Sequence, residues 1–215
     1  MDPRQLINGL ILYLGLLVLL TFHEFGHAWM AWKCGDDTAL SQGRVSLNPL
    51  VHIDLIGTVA VPLLLLLFAP AGFFVGWAKP VPVNSDNFKN PRTDDIMITL
   101  AGPWMNLLLA IVIIGLARLG VMLHSDGMAE VCLDIARLSL LLCFFNLLPI
   151  PPLDGSHVAR SLIGMSNETY HHIARYGIFI LIVVLQIPLV QQTLDTWTTT
   201  SWLAIAGWFG MPGLT

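Results

Sequence analysis

Apolar residues in this chain come in long blocks, not at the alternating or one-face spacing of half-buried strands and surface helices. Residues 6–32, 96–123, 131–148, and 176–190 with its polar flanks read as helices that cross a bilayer, which takes about 20 mostly apolar residues. The block 55–77 is long enough but contains Pro62 and Pro70, and 202–209 is too short to cross alone. The longest polar connections are 35–54 and 79–95. Both are rich in turn and extended signals (Gly43, Asn48-Pro49, Lys79-Pro80, Val81-Pro82, Asn90-Pro91), which suit short strands or loops lying against the membrane. With no internal repeat and no soluble appendage, residues 1–215 read as a single membrane domain.

Composition agrees with the pattern: 55% of residues are hydrophobic and 11% charged, against roughly 25% charged in an ordinary soluble domain. The first block is longer than a signal-peptide core and lacks a small-residue cleavage site, so it is expected to be retained. A net charge of −4 with no basic run excludes nucleic acid as a partner. Cys34, Cys132 and Cys143 are widely spaced, which suggests neither disulfides nor a thiolate metal site. Lys33, Arg44, Lys79, Lys89 and Arg92 lie in or beside the two long connections, whereas 125–130 is acidic. The positive-inside bias therefore places the long connections in the cytoplasm, with only Arg4 opposing.

The candidate chemistry sits inside the first block. His23-Glu24-Phe25-Gly26-His27 is an H-E-x-x-H motif. Residues four apart on a helix share a face, so two imidazoles can grip one Zn²⁺ with Glu24 beside it to handle a water proton. An ionisable group at membrane depth costs about 2.5–3.5 kcal/mol even on the mildest scale. Snorkelling from the helix end accounts for one such residue, not for three within a turn.

Catalytic zinc normally takes a third protein ligand. Asp154 is the best candidate, in Asn146-Leu147-Leu148-Pro149-Ile150-Pro151-Pro152-Leu153-Asp154-Gly155, where prolines break the helix and Gly155 lets the backbone turn. Taken alone, Asp154 reads more simply as the N-cap of the segment that follows.

The chain resembles the site-2 proteases, intramembrane zinc metalloproteases, and within them the compact prokaryotic Rip-type branch without PDZ or CBS domains. The resemblance rests on H-E-F-G-H at 23–27, G-R-V-S-L-N-P-L at 43–50, I-D-L-I-G-T at 53–58, A-K-P-V-P-V-N at 78–84, A-G-P-W-M-N at 101–106 and N-L-L-P-I-P-P-L-D-G at 146–155. It implies His23, His27 and Asp154 as ligands of one Zn²⁺ per chain and Glu24 as general base. It also implies that Asn146 helps to bind the scissile peptide or its oxyanion. Asn106 is a weaker candidate for the same neighbourhood, equally well read as an interhelical hydrogen bond. His157 is either close to the ligands or the partner of a backbone carbonyl, while His52, His124, His171 and His172 read as loop or interfacial residues.

If His27 and Asp154 meet at one metal, the first helix and the one ending near Pro149 must be parallel. The block 55–77 must then dip into the membrane and return, bending at Pro62 or Pro70. The expected fold is thus all-α and polytopic, with about four to six transmembrane helices, a re-entrant segment and short membrane-associated strands or loops. The expected function is hydrolysis of a peptide bond in or beside a transmembrane helix of a membrane-protein substrate. The expected setting is a prokaryotic inner membrane, with the active site toward the cytoplasm. A metal-ion transporter or an inactive scaffold is the competing reading.

Overall fold

The computed structural model describes residues 3–68 and 76–211, and the long apolar blocks in it are helical. Helix α1 (Pro3–Cys34) is followed by α2 (Thr38–Ser41), α3 (Val61–Phe68), α4 (Pro91–Met122) and α5 (Asp126–Asn146). Helices α6 (Asp154–Ile163), α7 (Asn167–Ala174), α8 (Gly177–Leu185) and α9 (Pro188–Trp208) complete the chain. No strand occurs among the described residues, so the two polar connections are loops and short helical turns.

Side-chain pairings fix the helix directions. His27 meets Ile98 and His23 meets Asn106, so α1 and α4 are antiparallel. Asn106 meets Ser139, and Gly120 lies against Ala129, so α4 and α5 are antiparallel as well. Helices α1 and α5 are therefore parallel, with Gly15 against Ile135 and Leu16 and Leu20 packed with Leu138 and Leu142. The core between α4, α5 and α9 is built on small residues: Ala110, Ala117, Ala136 and Ala206 surround Ile114, Leu140 and Ile205. Small side chains let helices approach closely in lipid, where association depends on packing contact.

The block 55–77 returns to where it started. A π-helical turn, Leu55–Ala60, runs into α3. Beyond it, Trp77 N–H donates to Gly57 O at 3.1 Å, Thr58 Oγ1 donates to Trp77 O at 2.7 Å, and Lys79 N–H donates to His52 O at 2.9 Å. Tyr13 Oη donates to Thr58 O at 3.1 Å and ties the start of this block to α1. At 1.5 Å per residue Leu55–Phe68 reaches roughly 20 Å, short of the ~30 Å hydrocarbon thickness. Of the two prolines at which a bend was expected, Pro62 does not supply it, because Leu55–Phe68 runs on through it as one helical stretch. Pro70 lies outside the described residues.

Other expectations change. Among the described residues, only α1 and α4 are long and apolar enough to span by length and composition, with α8 and α9 a third span if that bent pair counts as one. In α5, Asp134 and Arg137 dilute the apolar block expected to cross at 131–148, and Glu130 stands just before it. The block 176–190 is not one span: α8 has 9 residues, and the chain turns 81° before Pro188 opens α9. Residues 202–209 are not a separate short element but largely the last turns of α9.

Two buried groups fix the loop beside the site. Asp36, just beyond α1, accepts from Thr38 N–H (3.1 Å), Thr38 Oγ1 (2.5 Å), Asn84 N–H (2.8 Å) and Asn87 Nδ2 (2.9 Å). Burial alone would raise its pKa, but these donors outweigh burial and hold it below the ordinary 3.8. Arg44 Nη2 donates to Lys79 O at 2.6 Å. Together they hold the extended segment 79–84 against the end of α1.

Candidate metal centre

His23 and His27 lie one turn apart on α1, with Nε2 atoms 3.1 Å from each other. Asp154 faces them: Oδ2 is 3.2 Å from His23 Nε2 and Oδ1 is 3.4 Å from His27 Nε2. Four ligands placed tetrahedrally about 2.0–2.1 Å from a zinc ion stand roughly 3.3 Å apart. The three observed separations bracket that value. Oδ2 of Asp154 is buried and has no hydrogen-bond partner, an acceptor that a cation would satisfy. Two imidazole nitrogens and a carboxylate also form a donor set that zinc accepts in catalytic sites. The residues present fit the ion.

Asp154 is not a cap. Helix α6 begins at Asp154 itself, Leu153 is the N-cap residue, and no side-chain capping bond forms. Nor does Gly155 serve by turning the backbone. A Cβ there would run into the carbonyls of Leu147 and Leu148, so glycine permits close packing of α6 on the end of α5. Helix α6 is tied to the start of α4 by Arg160 Nη2 to Asp95 Oδ2 at 2.7 Å, by Ser161 Oγ to the same carboxylate, and by Arg92 Nη2 to Leu162 O at 2.7 Å. Ser156 Oγ and Tyr170 Oη, 2.9 Å apart, connect it to α7.

Around the ligands, His27 Nδ1 lies 2.7 Å from Ile98 O, a contact that places the ring proton on Nδ1 and leaves Nε2 bare for a metal. Asn106, fully buried on α4, contacts His23 Nδ1 at 3.1 Å. It does make an interhelical hydrogen bond, and its partner is a candidate ligand. A Cβ on Gly102 would overlap His27 Nε2 and come within 2.7 Å of His23 Cε1, so the helices can meet here only through glycine. On the facing helix, a Cβ on Gly26 would stand 2.7 Å from Ala101 O.

Glu24 lies beside the triad, and its Oε2 accepts from Val81 N–H at 3.1 Å. Asn146 Nδ2 donates to Leu142 O of its own helix at 2.9 Å, and among the described residues no hydrogen bond joins its side chain to His23, His27 or Asp154. His157 packs its ring against Tyr170, with centroids 4.8 Å apart. His52 is a loop residue as expected but is buried, its Nε2 2.8 Å from Ser46 O. Gly102, the Ile98 carbonyl and the Asp95–Arg160 pair are parts of the site that sequence reasoning did not single out. Only Gly102 left a signal, as the glycine of Gly102-Pro103 one turn before Asn106.

Comparison with known proteins agrees with this geometry. Residues 11–125 and 120–185 match peptidase family M50. A protein of Bacillus subtilis (strain 168) named "Putative zinc metalloprotease YwhC" is 40% identical over 203 residues, covering 89% of this chain and 86% of the relative. Rip2 proteins with the same description are similar at 31% identity in Mycolicibacterium smegmatis (91% of this chain, 73% of the relative) and at 32% in Mycobacterium tuberculosis H37Rv (85% and 68%). No solved structure matches significantly. The chain belongs to peptidase family M50, the site-2 protease family. It is a zinc metalloprotease and a membrane protein.

Proposed function

We propose that the protein is an intramembrane protease that hydrolyses a peptide bond in or beside a transmembrane segment of a membrane-protein substrate, using one zinc ion per chain. The observation that carries this reading is the placement of His23 and His27, joined by Asp154, within an apolar helix of 32 residues. In this reading His23, His27 and Asp154 hold the ion. When bound, zinc lowers the pKa of a water molecule and polarises the scissile carbonyl.

Glu24 takes the water proton and passes it to the leaving amine. Val81 N–H engages Oε2 of Glu24 and fixes the carboxylate, leaving Oε1 to receive the proton. Asn146 would have to turn its amide away from Leu142 O to steady the oxyanion. The substrate helix must unwind locally, because a helical carbonyl is already paired and sterically hidden. The basic connections favour a site toward the cytoplasm, and the bacterial source of the relatives favours a cell membrane of prokaryotic type.

The ion-transporter reading requires the ligands but no base. Glu24→Gln in the purified protein separates the two: the protease reading expects bound zinc to be retained and peptide hydrolysis to fall by about 10²–10⁴-fold. Undiminished cleavage by that variant would remove Glu24 from the mechanism.

A further inference from the structure

We propose that Asn106 is a positioning residue for the metal site, its side-chain carbonyl accepting the Nδ1 proton of His23 when zinc is bound. This rests on the reading of His23 as a ligand. Nε2 of His23 is the nitrogen that faces the other two donors, 3.1 Å from His27 Nε2 and 3.2 Å from Asp154 Oδ2. A metal-bound imidazole nitrogen carries no proton, so the ring's proton then sits on Nδ1 and needs an acceptor. The nearest side chain is the Asn106 amide, whose Nδ2 lies 3.1 Å from that atom.

An amide nitrogen facing Nδ1 suits the opposite tautomer, with the ring proton on Nε2. Half a turn about the amide bond to Cβ exchanges Nδ2 for Oδ1 with no change of shape. Oδ1 is free to make the exchange, being buried without a partner. Because Oδ1 gives up no protein partner when the amide turns, a proton on His23 Nδ1 can draw it to face the ring. The residue itself is fixed: Asn106 is fully buried, and its backbone carbonyl accepts from Ser139 Oγ at 2.7 Å, locking α4 to α5 at this level. The two ligands are thus held differently. His27 is oriented by a backbone carbonyl, Ile98 O, that cannot turn, and His23 by a side chain that can.

The test is zinc affinity, measured by chelator competition on the purified full chain in detergent, for wild type, Asn106→Leu, Asn106→Asp and His23→Ala. Asn106→Leu removes the acceptor and should weaken zinc binding by about 10–100-fold. Asn106→Asp presents only acceptor oxygens, cannot donate to Nδ1, and should bind zinc as tightly as wild type or more so. Wild-type affinity in Asn106→Leu, or loss of zinc in Asn106→Asp, overturns the proposal. If Asn106→Leu does not fold, the Asn106→Asp result decides alone. Should His23→Ala hold zinc like wild type, the ligand reading itself fails; should it lose zinc while Asn106→Leu does not, only the role of Asn106 fails.

Discussion

Gly102 on α4 faces His27 on α1 so closely that a single added methyl group would stand 2.4 Å from the imidazole Nε2, well inside contact distance. Gly102→Ala is therefore expected to push both histidines out of register and lower zinc content to a small fraction of wild type. Gly127→Ala, with nothing within 4 Å of the new methyl, should leave zinc content unchanged. Metal analysis of the two purified variants checks this, and equal zinc in both would contradict the geometry.

The Asp95–Arg160 pair acts on the site at a distance, because it anchors the helix that carries Asp154. Both side chains are largely buried, and removing Arg160 leaves the Asp95 carboxylate without its counter-charge and with Ser161 Oγ still donating to it. Arg160→Ala is expected to destabilise the protein by on the order of 1.5–3 kcal/mol, the range for hydrogen bonds to charged groups. It should also weaken zinc binding. Thermal unfolding in detergent, read beside zinc titration, measures both effects.

Acid sensitivity should pass through Asp36. Its pKa in the folded protein lies below the ordinary 3.8. The stability it contributes is thus fully present above that value and is lost as pH falls through the folded pKa. Asp36→Asn loses acceptor capacity for the donors on Thr38, Asn84 and Asn87, so it should unfold at lower temperature than wild type at pH 6. The difference should shrink as pH drops below about 4, where the carboxylate of the unfolded wild-type chain begins to protonate while the folded one still resists. Thermal unfolding across pH 3–6 tests the convergence; a gap independent of pH would show that ionisation of Asp36 does not matter.

The sequence made some of these features legible and concealed others for physical reasons. His23 and His27 were readable because helical spacing alone puts them on one face. Asp154 was not, since a carboxylate after three prolines reads more simply as a cap, and the family resemblance was needed to choose otherwise. Parallel α1 and α5, and the return of 55–77, followed from requiring the ligands to meet. The structure agrees through Gly57 and Trp77, and of the two prolines offered for the bend Pro62 is passed without one. Helix α9 was hidden because its first half, from Gln191 to Ser201, is dominated by threonine and other polar residues, and only its packing on α5 makes it one element. The Ile98 carbonyl could not be found at all, because backbone groups have no sequence signal.

The central claim is that one zinc ion is shared by His23, His27 and Asp154. It is tested most directly by the zinc content of the purified protein, wild type against Asp154→Ala, after dialysis against a competing chelator. The account expects about one zinc per wild-type chain and loss of most of it from the variant, since two imidazoles alone are one ligand short of the usual catalytic set. Full retention of tightly bound zinc by Asp154→Ala would contradict it.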